Sequence, residues 1–240
     1  EEIVAQRVPD DVRVAVRGKA FSLNQTDHAQ GHILPDVEGW LRLGIGGLRE
    51  QVLAAQQEHA LNAKTQRRKD AEQDVFYAAA LIALQAAQEF MLRYAELAGK
   101  LAQDSADADR GRELEGIAAT CRWLAEHPAR DFPEALQAVW FLFVLLQIES
   151  NASSFSPGRF DQYMLPYLER DLATGRLTLA EAQAWLEQLW LKFNEIVLLR
   201  SSHSARYFAG FPIGFNIALG GQLADCLLYT SPSPRDRTRS

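Results

Sequence analysis

The sequence predicts a mostly α-helical fold with one or two short strands. Three observations predict it. Apolar residues recur at three-and-four spacing through most of the chain, the mark of helices with one buried face. Two capping boxes, DFPE from Asp131 and TLAE from Thr178, announce helix starts. Ile213 to Leu219 (IGFNIAL) is the last segment with a core-like pattern, and its short apolar run between glycines and a proline reads as a strand.

The elements follow in order. Val37 to His59 carries Trp40, Leu41, Ile45, Leu48, Val52 and Leu53 on one helical face. Gly44, Gly46 and Gly47 interrupt it; GIGG lacks both the GxxxxGK[ST] and the GxGxxG spacing, so close packing rather than phosphate binding explains them. Asp74 to Gln103 is the clearest helix, with Phe76, Ala79, Ile82, Ala83, Ala86, Phe90, Tyr94, Leu97 and Leu101 in register. Arg112 to Glu126 forms a further helix ended by Pro128, and Pro133 to Ile148 the next. Ser150 to Ser156 is expected as a loop, followed by a helix to about Ala173 that Gly175 breaks. The TLAE box opens a last helix bearing Trp185, Leu189, Trp190 and Phe193. Isolated strands leave backbone groups unpaired, so a strand at 213–219 implies sheet neighbours. Trp140, Phe141, Phe143, Trp185 and Trp190 are placed to bury against neighbours, and poor solubility is expected where those are missing.

Composition excludes several classes. Twenty-five basic against 31 acidic residues give a net charge of −6, which supplies no footprint for nucleic acid or an anionic membrane. The longest apolar run, Ala138 to Leu146, is about half of the roughly 18 residues a spanning helix needs. Cys121 and Cys226 have no metal-ligand spacing, so no metal site is expected, and a reducing cytoplasm is the default location. The chain opens on Glu1 and reads as part of a longer protein. Residues 1–225 form the patterned region; 226–240, rich in Ser, Pro and Arg, read as a non-native or disordered tail.

Three blocks carry a family resemblance: GHILPD at 31–36, HPARDFPEALQAVWF at 127–141, and QIESNASSFSP running into GRFDQYMLPY at 147–167. Together they resemble the glycyl radical enzymes, the family of pyruvate formate-lyase and the radical diol dehydratases. The resemblance runs from about Ala20 to Asp225. It implies a portion of a large α/β barrel, strands wrapped by helices, whose reacting cysteine and glycine lie on loops inside. It also implies a homodimer when intact and a partner enzyme that installs the radical with S-adenosylmethionine and an iron–sulfur cluster. No cofactor is expected on the chain itself.

His32 stands on a glycine–proline loop, where an imidazole can exchange hydrogen bonds with a substrate hydroxyl or pass a proton to departing water. The resemblance implies that it faces the substrate in the dehydratase branch. Ser150 ends an apolar helix, and the resemblance implies substrate hydrogen bonding there. A lone hydroxyl suits a neutral hydroxylated substrate better than a cation. Glu149, Asn151 and Ser154 are neighbours of that position, with local loop hydrogen bonds as the competing reading. Arg159 and Asp161, one residue apart, should diverge and serve different partners, either anchoring the loop or lining the pocket. Arg200 with Ser201, Ser202, His203 and Ser204 forms a further polar stretch that reads equally as pocket wall or solvated turn.

Cys121 reads as an inert buried thiol. Neither cysteine belongs to the Cys-x-Glu or Cys-Cys loop of the family, and no RVxGY-like glycine block occurs, so no catalytic residue is present. The expectation is a glycyl radical lyase, a dehydratase acting on a small hydroxylated molecule, of which this chain alone is inactive. Formate acetyltransferase activity is the alternative within the family, and a non-catalytic helical interaction protein the alternative outside it.

Overall fold

A computed structural model describes residues 9–18, 31–63, 70–150, 153–195 and 216–220. Among these are seven helices and two short strands. They run α1 (Asp10–Arg17), β1 (Gly31–Ile33), α2 (Val37–Ala63), α3 (Asp70–Gln103), α4 (Ala108–Leu124), α5 (Phe132–Ser150), β2 (Ser153–Phe155), α6 (Phe160–Ala173) and α7 (Leu179–Glu195). The strands pair in parallel, Gly31 with Ser153 and Ile33 with Phe155. Both stretches were expected as loops; three-residue strands carry too little pattern to announce themselves.

α5 is the centre of the packing. Its FPEALQAVWFLFVLL run is apolar on nearly every side, which suits a helix enclosed by others. Val139 and Phe143 are fully buried, and α2, α4, α6 and α7 all lie against it. Trp40 on α2 donates its indole Nε1–H to the Ala138 carbonyl at 2.9 Å, so even the polar edge of that ring is satisfied in the core. Met91, Ala95, Cys121 and Leu124 complete the core from α3 and α4.

The glycines of α2 serve close approach, as expected. Gly44 has φ 63° and breaks the helix into two arms. A Cβ there would lie 2.5 Å from the His127 carbonyl carbon, and one on Gly46 would lie 2.4 Å from the Glu126 oxygen. The kink frees the Gly46 amide, which donates to the Glu126 carbonyl at 2.8 Å. This contact binds α2 to the turn that ends α4.

Both capping boxes form. At α7 the box is complete: the Glu181 amide donates to Thr178 Oγ1 at 3.3 Å and the Thr178 amide to Glu181 Oε2 at 2.8 Å. At α5, Asp131 Oδ1 accepts from the Glu134 amide at 3.0 Å, but Glu134 reaches one residue further back, to the Arg130 amide at 2.7 Å. Burial raises the Asp131 carboxyl above its usual range. A third carboxylate completes this helix start: fully buried Asp171 on α6 accepts from the Phe132 amide at 2.7 Å and from Arg176 Nη1 at 3.2 Å. A negative charge at a helix N-terminus is stabilising, and here it also fixes α6 against α5.

Two of the expected burials do not occur within the chain. Phe141 and Phe143 are buried, whereas Trp185 and Trp190 are each 39% exposed. By length and composition alone, α3 and α5 are apolar enough to cross a bilayer, a test that core helices also pass.

Candidate functional site

The GHILPD and QIESNASSFSP blocks meet through the β1–β2 pair, whose paired residues are 122 positions apart in sequence. Ser156 donates its amide to the Ile33 carbonyl at 2.9 Å and extends the pairing. His32 therefore sits mid-strand, level with Ser154 across the ladder, while Ser150 closes α5 just before β2 begins. The side chains of His32, Ser150 and Ser154 are outside what the structure describes, and Asn151 is outside the described residues altogether. Glu149 is exposed at the end of α5.

GHILPD has a second duty that explains its last residues. Asp36 Oδ1 accepts from the Gly39 amide at 2.8 Å and so caps α2. Leu34 packs over Gly158, where an added Cβ would come within 2.3 Å of Leu34 Cδ1. Gly158 also has φ 67°, and that backbone conformation is what requires glycine, since the exposed tip of Leu34 can swing aside.

Arg159 and Asp161 do not diverge. Arg159 donates from Nη2 to the Gly220 carbonyl, and Gly220 donates its amide to Asp161 Oδ2 at 2.6 Å. The two side chains are themselves 3.7 Å apart, Arg159 Nε to Asp161 Oδ1. The expectation of separate partners fails because Arg159 (φ −80°, ψ 62°) precedes the helix and Asp161 lies in its first turn. The backbone bends between them, and both converge on a single residue, Gly220 of the IGFNIALGG segment, one through its carbonyl and the other through its amide.

That segment is further held by the Ala218 amide to the Gly158 carbonyl at 2.7 Å and the Asn216 amide to Ser156 Oγ at 3.0 Å. Gly158 and Ile217 form a parallel bridge, in line with the strand expected at 213–219; residues 213–215 lie outside the described residues, as do Arg200 to Ser204. Parallel backbone from three distant stretches thus converges on one edge: β1, then β2, then Ile217. Tyr163 seals the underside, donating to the Pro157 carbonyl at 2.9 Å. Burial pushes its phenol well above the usual range, so it acts as a neutral donor and not as a base.

Beside the Arg159–Asp161 clamp, α6 and α7 enclose a groove of about 770 Å³ with Phe160, Met164, Leu186, Trp190 and Leu219 on its walls and Asp161 on its rim. Cys121 is buried elsewhere, against the α3–α4 contact, and burial lifts its thiol to about 11. Such a thiol stays protonated near neutral pH and is a poor nucleophile.

The sequence foresaw the blocks but missed Gly220 as the shared partner of the clamp and Leu34 as the lid on Gly158. The positive φ of Gly220, 88°, has its only sequence signal in the GG pair.

Comparison with known proteins supplies the context. A family model described as pyruvate formate lyase-like matches residues 1–231. A probable dehydratase of Escherichia coli (strain K12) is 37% identical over 183 residues, 76% of this chain and 22% of that protein. Isethionate sulfite-lyase of Nitratidesulfovibrio vulgaris is 34% identical over 222 residues, 91% of this chain and 26% of that protein. The glycerol-bound B12-independent glycerol dehydratase of Clostridium butyricum superposes with a TM-score of 0.78 at 32% identity, covering 91% of this chain and 27% of that one. The chain thus spans about a quarter of the length of these relatives.

Proposed function

Because the chain belongs to the pyruvate formate lyase-like family, we propose that it is the substrate-orienting part of a glycyl radical lyase. The intact protein would be a dehydratase that eliminates water from a small, neutral, hydroxylated molecule. The observation that carries this reading is the β1–β2 pair, which sets the His32 strand against the segment that follows Ser150. In this role Ser150 holds a substrate hydroxyl, and His32 donates to or accepts from a second oxygen and delivers a proton to the departing water. Glu149 and Asn151 border that position. Arg159 and Asp161 act one step back: by fixing Gly220 they fix the extended segment at 216–219 beside β2.

The radical chemistry, when installed by a partner enzyme using S-adenosylmethionine and an iron–sulfur cluster, would reside on residues that this chain does not carry. Neither cysteine stands in a Cys-x-Glu or Cys-Cys pair. The 240-residue chain by itself is therefore inactive, and the intact enzyme works in the cytoplasm as a homodimer. We assign residues 1–225 to the family domain and leave 226–240 outside it.

The test is anaerobic turnover of 1,2-propanediol or glycerol by the intact, activated enzyme. Ser150→Ala should raise KM with a smaller change in kcat, and His32→Gln should lower kcat by about 100-fold, the range of a lost general acid–base group. Wild-type kinetics in both variants would sink the assignment of these two residues.

A further inference from the structure

The two faces of the extended backbone around β1 and β2 are unlike. Phe155 is 1% exposed and Pro157 is fully buried, while Ile33 and Ile217 pack against the same core. All four lie on the side that the helices cover. Alternation along extended backbone assigns their neighbours to the other side. These are positions 32 and 154, then half-buried Ser156, then Asn216 and Ala218, which are exposed. In a barrel wrapped by helices, the uncovered side of each strand faces the enclosed space.

The short segment that carries Asn216 is held by its backbone at every second residue. The Asn216 amide donates to Ser156 Oγ at 3.0 Å and the Ala218 amide to the Gly158 carbonyl at 2.7 Å. Gly220 is gripped through its carbonyl by Arg159 and through its amide by Asp161. Ser156 is the splice: its amide donates to the Ile33 carbonyl of β1 at 2.9 Å while its hydroxyl accepts from Asn216. The adjoining Pro157 carbonyl already accepts from the Tyr163 hydroxyl, so the Ser156 hydroxyl supplies the acceptor that Asn216 uses. None of these contacts involves the Asn216 carboxamide, and Asn216 carries the one polar side chain between residues 216 and 220.

We infer that Asn216 is a further substrate-binding residue, its carboxamide taking a substrate hydroxyl on the face that includes position 32, with Ser156 as its positioning residue. The inference rests on the reading of the intact protein as a lyase for a small hydroxylated molecule. A carboxamide offers both a donor and an acceptor, which matches a hydroxyl that is itself both. A backbone pinned at 216, 218 and 220 beneath an open side chain is the support that oriented recognition needs.

The experiment uses the intact enzyme, unactivated for binding and activated anaerobically for turnover, with glycerol and 1,2-propanediol as probes. Calorimetric titration of Asn216→Ala with glycerol should show binding about tenfold weaker, as loss of one hydrogen-bond partner does, with an unchanged melting temperature. In turnover, KM should rise by a similar factor with a smaller change in kcat. Ser156→Ala should weaken binding by a smaller factor and speed hydrogen exchange at the Asn216 amide; Ser156→Thr, which keeps the hydroxyl, should restore both. Wild-type glycerol affinity in Asn216→Ala would overturn the inference. So would a lowered melting temperature with KM unchanged, the mark of a carboxamide bound by protein rather than substrate. A wild-type enzyme that binds glycerol without dehydrating either probe would remove the lyase reading, and the binding ratio would then decide for or against Asn216. A wild-type enzyme that binds neither probe would overturn both.

Discussion

Around α5 the large inward side chains find their partners within the chain, whereas the face built by α6 and α7 leaves comparable side chains open. Phe132, Val139 and Phe143 are at most 1% exposed; Leu191 is 67% exposed and Trp190 39%. α5 is the more apolar in sequence, yet α6 and α7 also carry large apolar side chains at helical spacing, so hydrophobic periodicity reports which residues want a partner and not whether the chain contains it. The contrast is physical: α5 is met from several sides by α2, α4, α6 and α7, while α6 and α7 enclose a groove that, among the described residues, Leu219 and Phe132 alone reach from elsewhere.

This contrast can be broken by mutation, beginning where the effect should be greatest. Phe143→Ala should cost about 4 kcal/mol, because it leaves a cavity in a region with no slack, and urea unfolding would measure it. A cost below about 1 kcal/mol would mean that the α5 core is not packed as described. Gly44→Ala should follow closely, since its φ of 63° and the 2.5 Å approach of the His127 backbone leave a methyl group nowhere to go.

Asp171→Ala should cost about 2 kcal/mol through the orphaned Phe132 amide. It should also speed hydrogen exchange at the first turn of α5 more than at α7. Arg159→Ala should change global stability by less than about 1 kcal/mol, the usual worth of a part-exposed pair, while exchange at the Gly220 amide accelerates sharply. Equal acceleration throughout α6 would mean that the clamp supports the helix and not the strand. Leu191→Glu should fall within about 0.5 kcal/mol of wild type in this chain, as exposed positions do.

The smallest effect is a pH dependence. The Thr178 hydroxyl and amide hold the Glu181 carboxyl below its ordinary range. A depressed carboxyl contributes stability above its unfolded pKa, and that contribution disappears as pH falls through the folded value. A thermal scan from pH 6 down to pH 3 should therefore show wild type losing its advantage over Glu181→Gln at the acid end, by at most a few degrees. An advantage that persists at pH 3 would place the cap on some other group.

The helices were legible because their periodicity is local. α2, α4 and α5 begin and end within a few residues of where caps, prolines and apolar spacing put them, α6 ends at Ala173, and α7 opens at its capping box. α3 was equally legible as a helix, yet its clearest stripe proved to be the outward one, since Ala87, Met91, Ala95 and Ala98 bury with smaller side chains than Phe76 or Leu97. The β1–β2 pairing was not legible: a three-residue strand has too few alternations to show a period, and its partner lies 122 residues away. For the candidate site, the blocks bearing His32, Ser150, Arg159 and Asp161 were found, but the geometry of the last two was not. A spacing rule assumes one regular conformation across the interval, and the backbone changes from loop to helix between them.

The most direct measurement is to sequence the source DNA onward from the codon for Asp225 and assay the product of the full frame anaerobically with 1,2-propanediol. The account predicts a Cys-x-Glu loop, a later radical-glycine block, and propanal formed only after activation. Paired cysteines with formate-dependent acetyl transfer, or a frame that ends without either element, would contradict it.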